Sequence, residues 1–515
     1  MLETLFVLPP AFWVVIALLV VGAFWSAGQI KNSVGLPMLA VLTTAVVWYA
    51  GDVLYNDYRG DYAQKFTPAA LANAWWEVAW FLAVFLVLTP IAHRSINRRH
   101  LGQGSQVLRM LQTGSDRPLF QLQLDKLFWG CAVVWLTLAL LAVVRVGISE
   151  APYYFFPFLG HKADPWGRGR IGGGIDALLS LANYFQLFLA ATFGVVAALA
   201  RNGWVRFLAL AGCLLTWPYY IVDRTRNTML AVLVPAVLAW VFLRLRGSMW
   251  PKAIILGGFL FLINAWFGFV MANRSNTDIA SALQEEGLSL EQAKAVQHEG
   301  LNMYEELCWI NTFIKNGTYE PVWGQEYFAE IANPIPRSLW PGKPMIGIDY
   351  AEARGMSWDK GDAGVAATLS TGMVGQGVIN FGRILGPAFA ALLMSLWASG
   401  LARLDLEGQK IGRIPLYALG LILTFNLGRD ITLITLYTFV FGSAIIWWLQ
   451  RSFNQPARRP KRKAQRARQA GGIENERQEA EPKPAGRGRH SGFGWWQKPK
   501  TTAEPLPVSK PTDGH

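Results

Sequence analysis

Long apolar stretches separated by short polar segments make up most of the first 450 residues of the chain. A helix needs about 20 apolar residues to cross a bilayer, and lipid offers the backbone no hydrogen-bond partners. Each stretch is therefore predicted to be a membrane-spanning helix. The predicted spans are 9–27, 35–55, 74–92, 127–147, 175–200, 207–222, 228–243, 253–273, 384–402, 415–428 and 431–450.

These eleven spans predict an all-α fold, a polytopic transmembrane helix bundle with one large extracytoplasmic loop. Residues 1–273 hold spans one to eight, and residues 384–450 hold spans nine to eleven. Residues 274–383 are too polar to span and are predicted to form a large periplasmic loop. Residues 451–515 are poor in apolar residues and are predicted to be a disordered basic cytoplasmic tail.

Lysine and arginine in the short loops set the orientation of the bundle. Loop 93–126 carries six of them against two aspartates, and loops 201–206, 244–252 and 403–414 are also basic. Eleven spans put these four loops and the tail on the same side, which is predicted to be the cytoplasm. Loop 274–383 then faces outward.

Charge is concentrated in the tail. Residues 451–515 hold fifteen Lys and Arg against six Asp and Glu, whereas the whole chain has a net charge of +13. The basic run 458–463 follows the last span directly, so binding to anionic lipid of the inner leaflet is the favoured interpretation. No nucleic-acid partner is predicted.

No zinc, P-loop or nucleophile-elbow motif occurs in the sequence, and the six histidines are scattered. The spacing of Cys131, Cys213 and Cys308 fits neither a metal site nor a disulfide framework. Any chemistry is therefore predicted to be metal-independent, without a cofactor.

Arginines at the outer turns are the unusual feature. Asp223, Arg224 and Arg226 join spans six and seven, and Arg429 and Asp430 join spans ten and eleven. The positive-inside rule disfavours arginine there, and charge at apolar helix ends is usually functional. The alternative is structural, with each arginine paired to its neighbouring aspartate or reaching lipid headgroups. The aspartates either orient the arginines or include a general base, and the sequence leaves both roles open.

Three further cations are placed on the same outer face. Arg337 and Lys343 lie in the proline-rich segment 333–344, and Arg274 follows span eight, where it also fits a plain helix-end anchor. Guanidinium groups match phosphate oxygens in bidentate geometry. The outer cations together therefore predict a site for phosphate or pyrophosphate.

The large loop is predicted to contain an amphipathic helix. Ser289 and Gln292 form a capping box at its start, and Gly317 ends it. Glu305 and Glu306 lie in this helix, but adjacent residues do not share a helix face. Both are therefore predicted to be solvated surface groups. The glycines of segment 370–382 predict a close approach of the backbone to another group.

Segments 335–344 (IPRSLWPGKP) and 370–382 (STGMVGQGVINFG) resemble the outer-loop signature of oligosaccharide repeat-unit polymerases, the Wzy-like O-antigen polymerase family. The turn at Arg429 and Asp430 and the overall plan of about a dozen spans are also similar. The resemblance covers roughly residues 1–450.

The resemblance implies a glycosyltransferase of the bacterial inner membrane. It implies transfer of a growing glycan from a polyprenyl pyrophosphate carrier to the non-reducing end of a new lipid-linked repeat unit, at the periplasmic face. Arg337, Arg429, Arg224 and Arg226 are the residues that the resemblance assigns to pyrophosphate and glycan. The implied partners are the lipid-linked oligosaccharide, membrane lipid, a flippase and a chain-length regulator.

The chain departs from the family pattern at two places. Gln376 replaces a frequent acidic residue, so this position is not expected to supply a base, and the turn at 223–226 reads DRTR instead of a Gly-Ser-Arg type. Two other functions stay open, an O-antigen ligase-type transferase and a non-enzymatic transporter or flippase of lipid-linked sugars. The sequence has no evident internal repeat, which favours an enzyme over a transporter.

Overall fold

Every regular element among the described residues is a helix. The computed structural model of the chain describes residues 8–51, 53, 62–113, 118–166, 179–223, 226–245, 247–272, 302–332, 335, 339–344, 350, 353–355 and 369–453. The α-helices are α1 Pro10–Gly28, α2 Gly35–Ala45, α3 Pro68–Asn97, α4 Gln106–Thr113, α5 Pro118–Val146, α6 Ala151–Phe155, α7 Ala182–Leu199, α8 Gly203–Ile221, α9 Arg226–Leu238, α10 Met249–Ala272, α11 Met303–Asn316, α12 Gln325–Ala332, α13 Gly372–Leu406, α14 Arg413–Leu427 and α15 Leu433–Phe453. The prediction of an all-α fold is confirmed for these residues.

Seven of the described helices are long and apolar enough to cross a membrane. They are α1, α3, α5, α7, α10, α13 and the segment Asn227–Arg244, in which α9 continues as a π-helical turn. Two shorter apolar helices are the segment Gly35–Gly51, which contains α2, and α14. This is the helix content of a multi-pass membrane protein. The count of eleven spans and the orientation stay predictions.

Side-chain hydrogen bonds show which segments lie at each of the two ends of α14. Gln450 on α15 donates to the carbonyl of Ile411 before α14 at 3.0 Å. At the opposite end of α14, Trp48 donates to the carbonyl of Phe425 at 2.9 Å. We call the end that carries Gln450 the tail end and the end that carries Phe425 the loop end.

Two hydrophobic cores share α13. The first is built by α1, α2, α3, α11 and much of α13, including Met394. The second is built mainly by α5, α7, α8, α9, α14 and α15, and the last part of α13 contributes Leu401 and Leu404 to it. The helices belong to one compact unit, Met1–Asn454. The first turn of α13 belongs to the first core, to which it contributes Met373 and Val374.

Helix α13 is broken at Gly382. This residue has φ 75°, a left-handed conformation that glycine adopts at little cost. The break brings the backbones of Gly377 and Gly386 together, so that a Cβ atom on Gly377 would lie 2.3 Å from the carbonyl oxygen of Gly386. The close approach predicted for these glycines is therefore confirmed, and its partner is the other half of the same helix. Helix α13 also begins twelve residues before the predicted span 384–402.

We expect Gly377→Ala to destabilise the fold by about 3 kcal/mol, because the added methyl group meets backbone atoms that cannot rotate away. Gly400→Ala, in the same helix, is the control. Its methyl group meets nothing within 4 Å, so it is expected to be neutral or to stabilise by up to about 1 kcal/mol. Thermal unfolding of the two variants in detergent measures the difference, and equal stability would contradict the tight contact.

A buried carboxylate on α3 holds the break in place. Glu77 is 3% exposed, and its carboxylate accepts a hydrogen bond from Arg383 at 2.8 Å. Asn311 on α11 donates to the same carboxylate at 2.7 Å. A buried charge is retained only where it is paired and hydrogen-bonded. Glu77 therefore joins α3, the residue after the break and the loop helix α11.

The loop helix α11 is packed inside the fold. The side chain of Asn302 caps its first turn, and Gly317 ends it with φ 69°, as predicted. The predicted start of the helix, Ser289 and Gln292, lies outside the described residues, and Asn302 was not predicted as a cap.

The prediction that Glu306 is a solvated surface group is wrong. Its side chain is 2% exposed, and it pairs with Arg354 at 3.1 Å and accepts a hydrogen bond from the hydroxyl of Tyr350. The adjacent Glu305 pairs with Lys65 at 3.4 Å. Consecutive helix residues point in different directions, so one glutamate faces the protein interior while its neighbour lies nearer the surface.

Candidate functional site

Two segments that the sequence singled out separately meet at the loop end. The backbone N–H of Thr371 donates to the carboxylate of Asp430 at 3.0 Å. Two residues on, the N–H of Met373 donates to the carbonyl of Gly428 at 3.0 Å. The start of α13 and the turn between α14 and α15 therefore form one site.

Ser370 stands between the two charged residues of the turn. Nε of Arg429 donates to its hydroxyl oxygen at 2.6 Å, and the hydroxyl in turn donates to Asp430. Both residues are described, and no ion pair within 4.0 Å joins them. The structural alternative, direct pairing within this turn, is therefore not observed for Arg429 and Asp430.

Only one nitrogen of the Arg429 guanidinium is hydrogen-bonded to a described residue. Its one hydrogen bond to a described residue is the bond from Nε to Ser370, so the two terminal nitrogens have no partner in the part of the chain that the structure describes. The residue is partly exposed. Terminal guanidinium nitrogens are the pair of donors that bind a phosphate group in bidentate geometry. Arg429 thus has the geometry of an anion-binding side chain.

The carboxylate of Asp430 has a higher pKa than an ordinary aspartate. Burial raises its pKa to about 6, although hydrogen bonds from Ser370 and Thr371 and the charge of Arg429 oppose the rise. A general base works best when its pKa lies near the operating pH. Asp430 therefore meets the electrostatic requirement for a base in a neutral solution.

Gln376 binds the turn between α14 and α15 at Ile431, the residue after Asp430. Its amide oxygen accepts from the N–H of Ile431 at 2.8 Å, and its amide nitrogen donates to the carbonyl of Ile431 at 3.3 Å. A carboxylate at this position could accept the first bond but not donate the second. Gln376 thus has a structural role, which is to position the residues next to Asp430.

Tyr49 completes the first turn of α13. Its hydroxyl accepts from the N–H of Val374 at 2.9 Å. Gly372 has φ 80°, and a Cβ atom there would lie 2.6 Å from the Tyr49 hydroxyl. With Asp430 and Gly428 accepting the N–H groups of Thr371 and Met373, three of the first four N–H groups of this helix are bound by the protein itself. Among the described side chains at this site, Arg429 is the cation placed to bind an anion.

Two other predicted site residues have partners that the sequence did not indicate. Asp223 accepts hydrogen bonds from Lys162 at 3.2 Å and from Thr228 at 2.8 Å. The ammonium of Lys343 is buried and donates to the carbonyl of Ile335 at 2.8 Å. In the structure, Asp223 thus joins the segment before α7 to the start of α9, and Lys343 braces the proline-rich segment. Substrate binding by either residue stays a prediction.

The remaining predicted cations cannot be placed at the site. Arg224, Arg274 and Arg337 lie outside the described residues, as does the side chain of Arg226. The gathering of several arginines around one pyrophosphate stays a prediction.

Sequence reasoning missed the groups that build the site around Arg429. Ser370 was part of the quoted motif, but its position between the two charges depends on a contact 59 residues away. Glu77 carried a usable signal, because a lone carboxylate inside an apolar span is rarely without a role.

Within the described residues, no three His, Cys, Asp or Glu side chains come together to hold a metal ion.

Comparison with family models, with curated proteins and with solved structures found no match to this chain.

Proposed function

We propose that the protein is a membrane glycosyltransferase that polymerises polyprenyl-pyrophosphate-linked oligosaccharide repeat units at the periplasmic face of the bacterial inner membrane. The observation that carries the proposal is the pair Arg429 and Asp430. A guanidinium with two nitrogens that bind no described residue stands beside a carboxylate with a pKa of about 6, at one end of an apolar helix bundle. The resemblance of segments 335–344 and 370–382 to repeat-unit polymerases supports the same function.

The two residues supply complementary chemistry. The acceptor hydroxyl oxygen forms a bond to the anomeric carbon of the donor glycan, and Asp430 takes the proton of that hydroxyl. The bond between the anomeric carbon and the carrier pyrophosphate breaks, and the polyprenyl pyrophosphate leaves with the electron pair. Arg429 stabilises the negative charge that builds on this leaving group. The step needs no oxidant, reductant or further co-reactant.

The position of the site favours a transferase over a transporter. Transporters place their binding sites near the middle of the bilayer, often at broken helices. Here α13 is broken, but the first turn of its short half lies at the loop end, next to the turn that follows α14. Lipid pyrophosphate groups lie at the membrane surface, where such a turn reaches them.

Reconstituted protein tests the proposal. Purified protein in liposomes is supplied with lipid-linked repeat units from its own organism, without lipid A core, and the products are separated by size. The proposal expects a ladder of longer glycans and release of one polyprenyl pyrophosphate for each bond formed. Transfer that starts only after lipid A core is added would show a ligase instead. Movement of substrate across the bilayer without transfer would show a flippase.

A further inference from the structure

Tyr327 on α12 has a buried hydroxyl that no described residue hydrogen-bonds. Its ring packs against Phe381, with 6.1 Å between ring centroids, and against Phe389, with 5.3 Å. These two phenylalanines lie on either side of the break at Gly382 and contact each other. The aromatic packing holds the Tyr327 ring in place, and its hydroxyl has no partner within the described part of the chain.

Helix α12 is fastened to the same half of α13 that builds the candidate site. The N–H of Glu326 donates to the side-chain oxygen of Asn380 at 3.2 Å. The N–H of Val322, just before α12, donates to the carbonyl of Ile379 at 3.0 Å. One rigid piece of backbone, the first half of α13, thus positions both Tyr327 and the turn that carries Asp430.

Hydrogen bonds connect the residue before Tyr327 to the site: Asn380, which accepts from Glu326, donates to the carbonyl of Gln376 at 2.8 Å, and Gln376 accepts from Ile431 next to Asp430. Burial raises the pKa of Tyr327 above the usual value, and the charges of Glu326 and Asp430 raise it further. The hydroxyl therefore keeps its proton at neutral pH and is able both to donate and to accept a hydrogen bond. A buried hydroxyl without a partner costs about 1–3 kcal/mol, and such groups in native proteins call for an explanation. A ligand hydroxyl would satisfy it.

We propose that Tyr327 binds the acceptor sugar, and that its hydroxyl donates a hydrogen bond to an oxygen next to the attacking hydroxyl. This inference rests on the proposed function and adds an acceptor subsite between α12 and the start of α13. Tyr327 transfers no proton. It holds the sugar so that the attacking hydroxyl faces Asp430, which takes the proton.

Tyr327→Phe removes only the hydroxyl and is the test variant. Single transfers are measured with lipid-linked polymer as saturating donor, while the concentration of the monomeric lipid-linked acceptor is varied. We expect the KM for the acceptor to rise about tenfold, since one lost hydrogen bond corresponds to a factor of that size. The KM for the donor is expected to stay within about twofold, because no pyrophosphate contact is lost.

Tyr417→Phe is the matched control. The Tyr417 hydroxyl is also buried and has no partner among the described residues, but it lies near the start of α14, about 15 Å of helix from the loop end. We expect this variant to keep the wild-type KM for both substrates.

Thermal unfolding in detergent separates a binding role from a structural one. Removing a hydroxyl that no described residue binds should leave the stability of Tyr327→Phe equal to or above that of the wild type. A wild-type acceptor KM in Tyr327→Phe would overturn the inference, and so would equal losses in both variants. Absence of elongation by the wild-type protein would instead overturn the proposed function itself.

Discussion

Replacing Arg429 with alanine is expected to slow chain elongation by about 10²- to 10³-fold, the usual effect of removing one preorganised donor from a developing negative charge. The change removes the guanidinium whose terminal nitrogens have no partner among the described residues. It leaves Asp430 with its backbone bond from Thr371. The rate of release of polyprenyl pyrophosphate by the reconstituted protein measures the loss, with equal amounts of folded protein in the membrane.

Two further variants show whether the effect belongs to the guanidinium. Arg429→Lys keeps a positive charge but loses the planar pair of donors and the Nε bond to Ser370, so we expect it to recover only part of the rate. Arg451→Ala is the control, because this guanidinium lies 4.2 Å over the ring of Trp447 near the tail end and touches no group of the site. If Arg429→Ala elongates at the wild-type rate, Arg429 does not bind the anion.

The sequence predicted features that depend on local chemistry. Apolar length predicted the helical character of the chain, and Gly317 predicted the end of α11 because a left-handed residue ends a helix wherever it stands. The turn at Arg429 and Asp430 stood out for a similar reason, since charge at an apolar helix end is costly whatever its partners are. Each of these inferences needs only neighbouring residues.

Features that depend on partners distant in the sequence could not be predicted from the sequence. Ser370 bridges Arg429 and Asp430 because the fold brings together residues that are 59 positions apart in the sequence. Glu306 was misjudged because helical spacing shows that it and Glu305 face different ways, but not which of them meets Arg354. One partner of Lys343 is a backbone carbonyl, and because every residue has a carbonyl, the sequence does not indicate which one it binds.

The acid limb of the pH profile is the sharpest test of Asp430. A base must be ionised to take a proton, and the pKa of Asp430 is raised to about 6 mainly by burial. For the free protein, kcat/KM for elongation should therefore rise about tenfold per pH unit below this value and level off above about pH 7.

Asp430→Asn tests the assignment of this limb, because the amide is neutral at every pH and accepts no proton. Asparagine keeps an oxygen that accepts the N–H of Thr371, so the turn should hold its conformation while elongation falls by about 10²- to 10⁴-fold. The residual rate should no longer rise between pH 5 and 7. An acid limb near pH 6 that survives in Asp430→Asn would assign the base to another group and leave Asp430 as a positioning residue for Ser370. The decisive comparison is therefore the shape of the two profiles, because a structural loss lowers the rate at every pH without removing the limb.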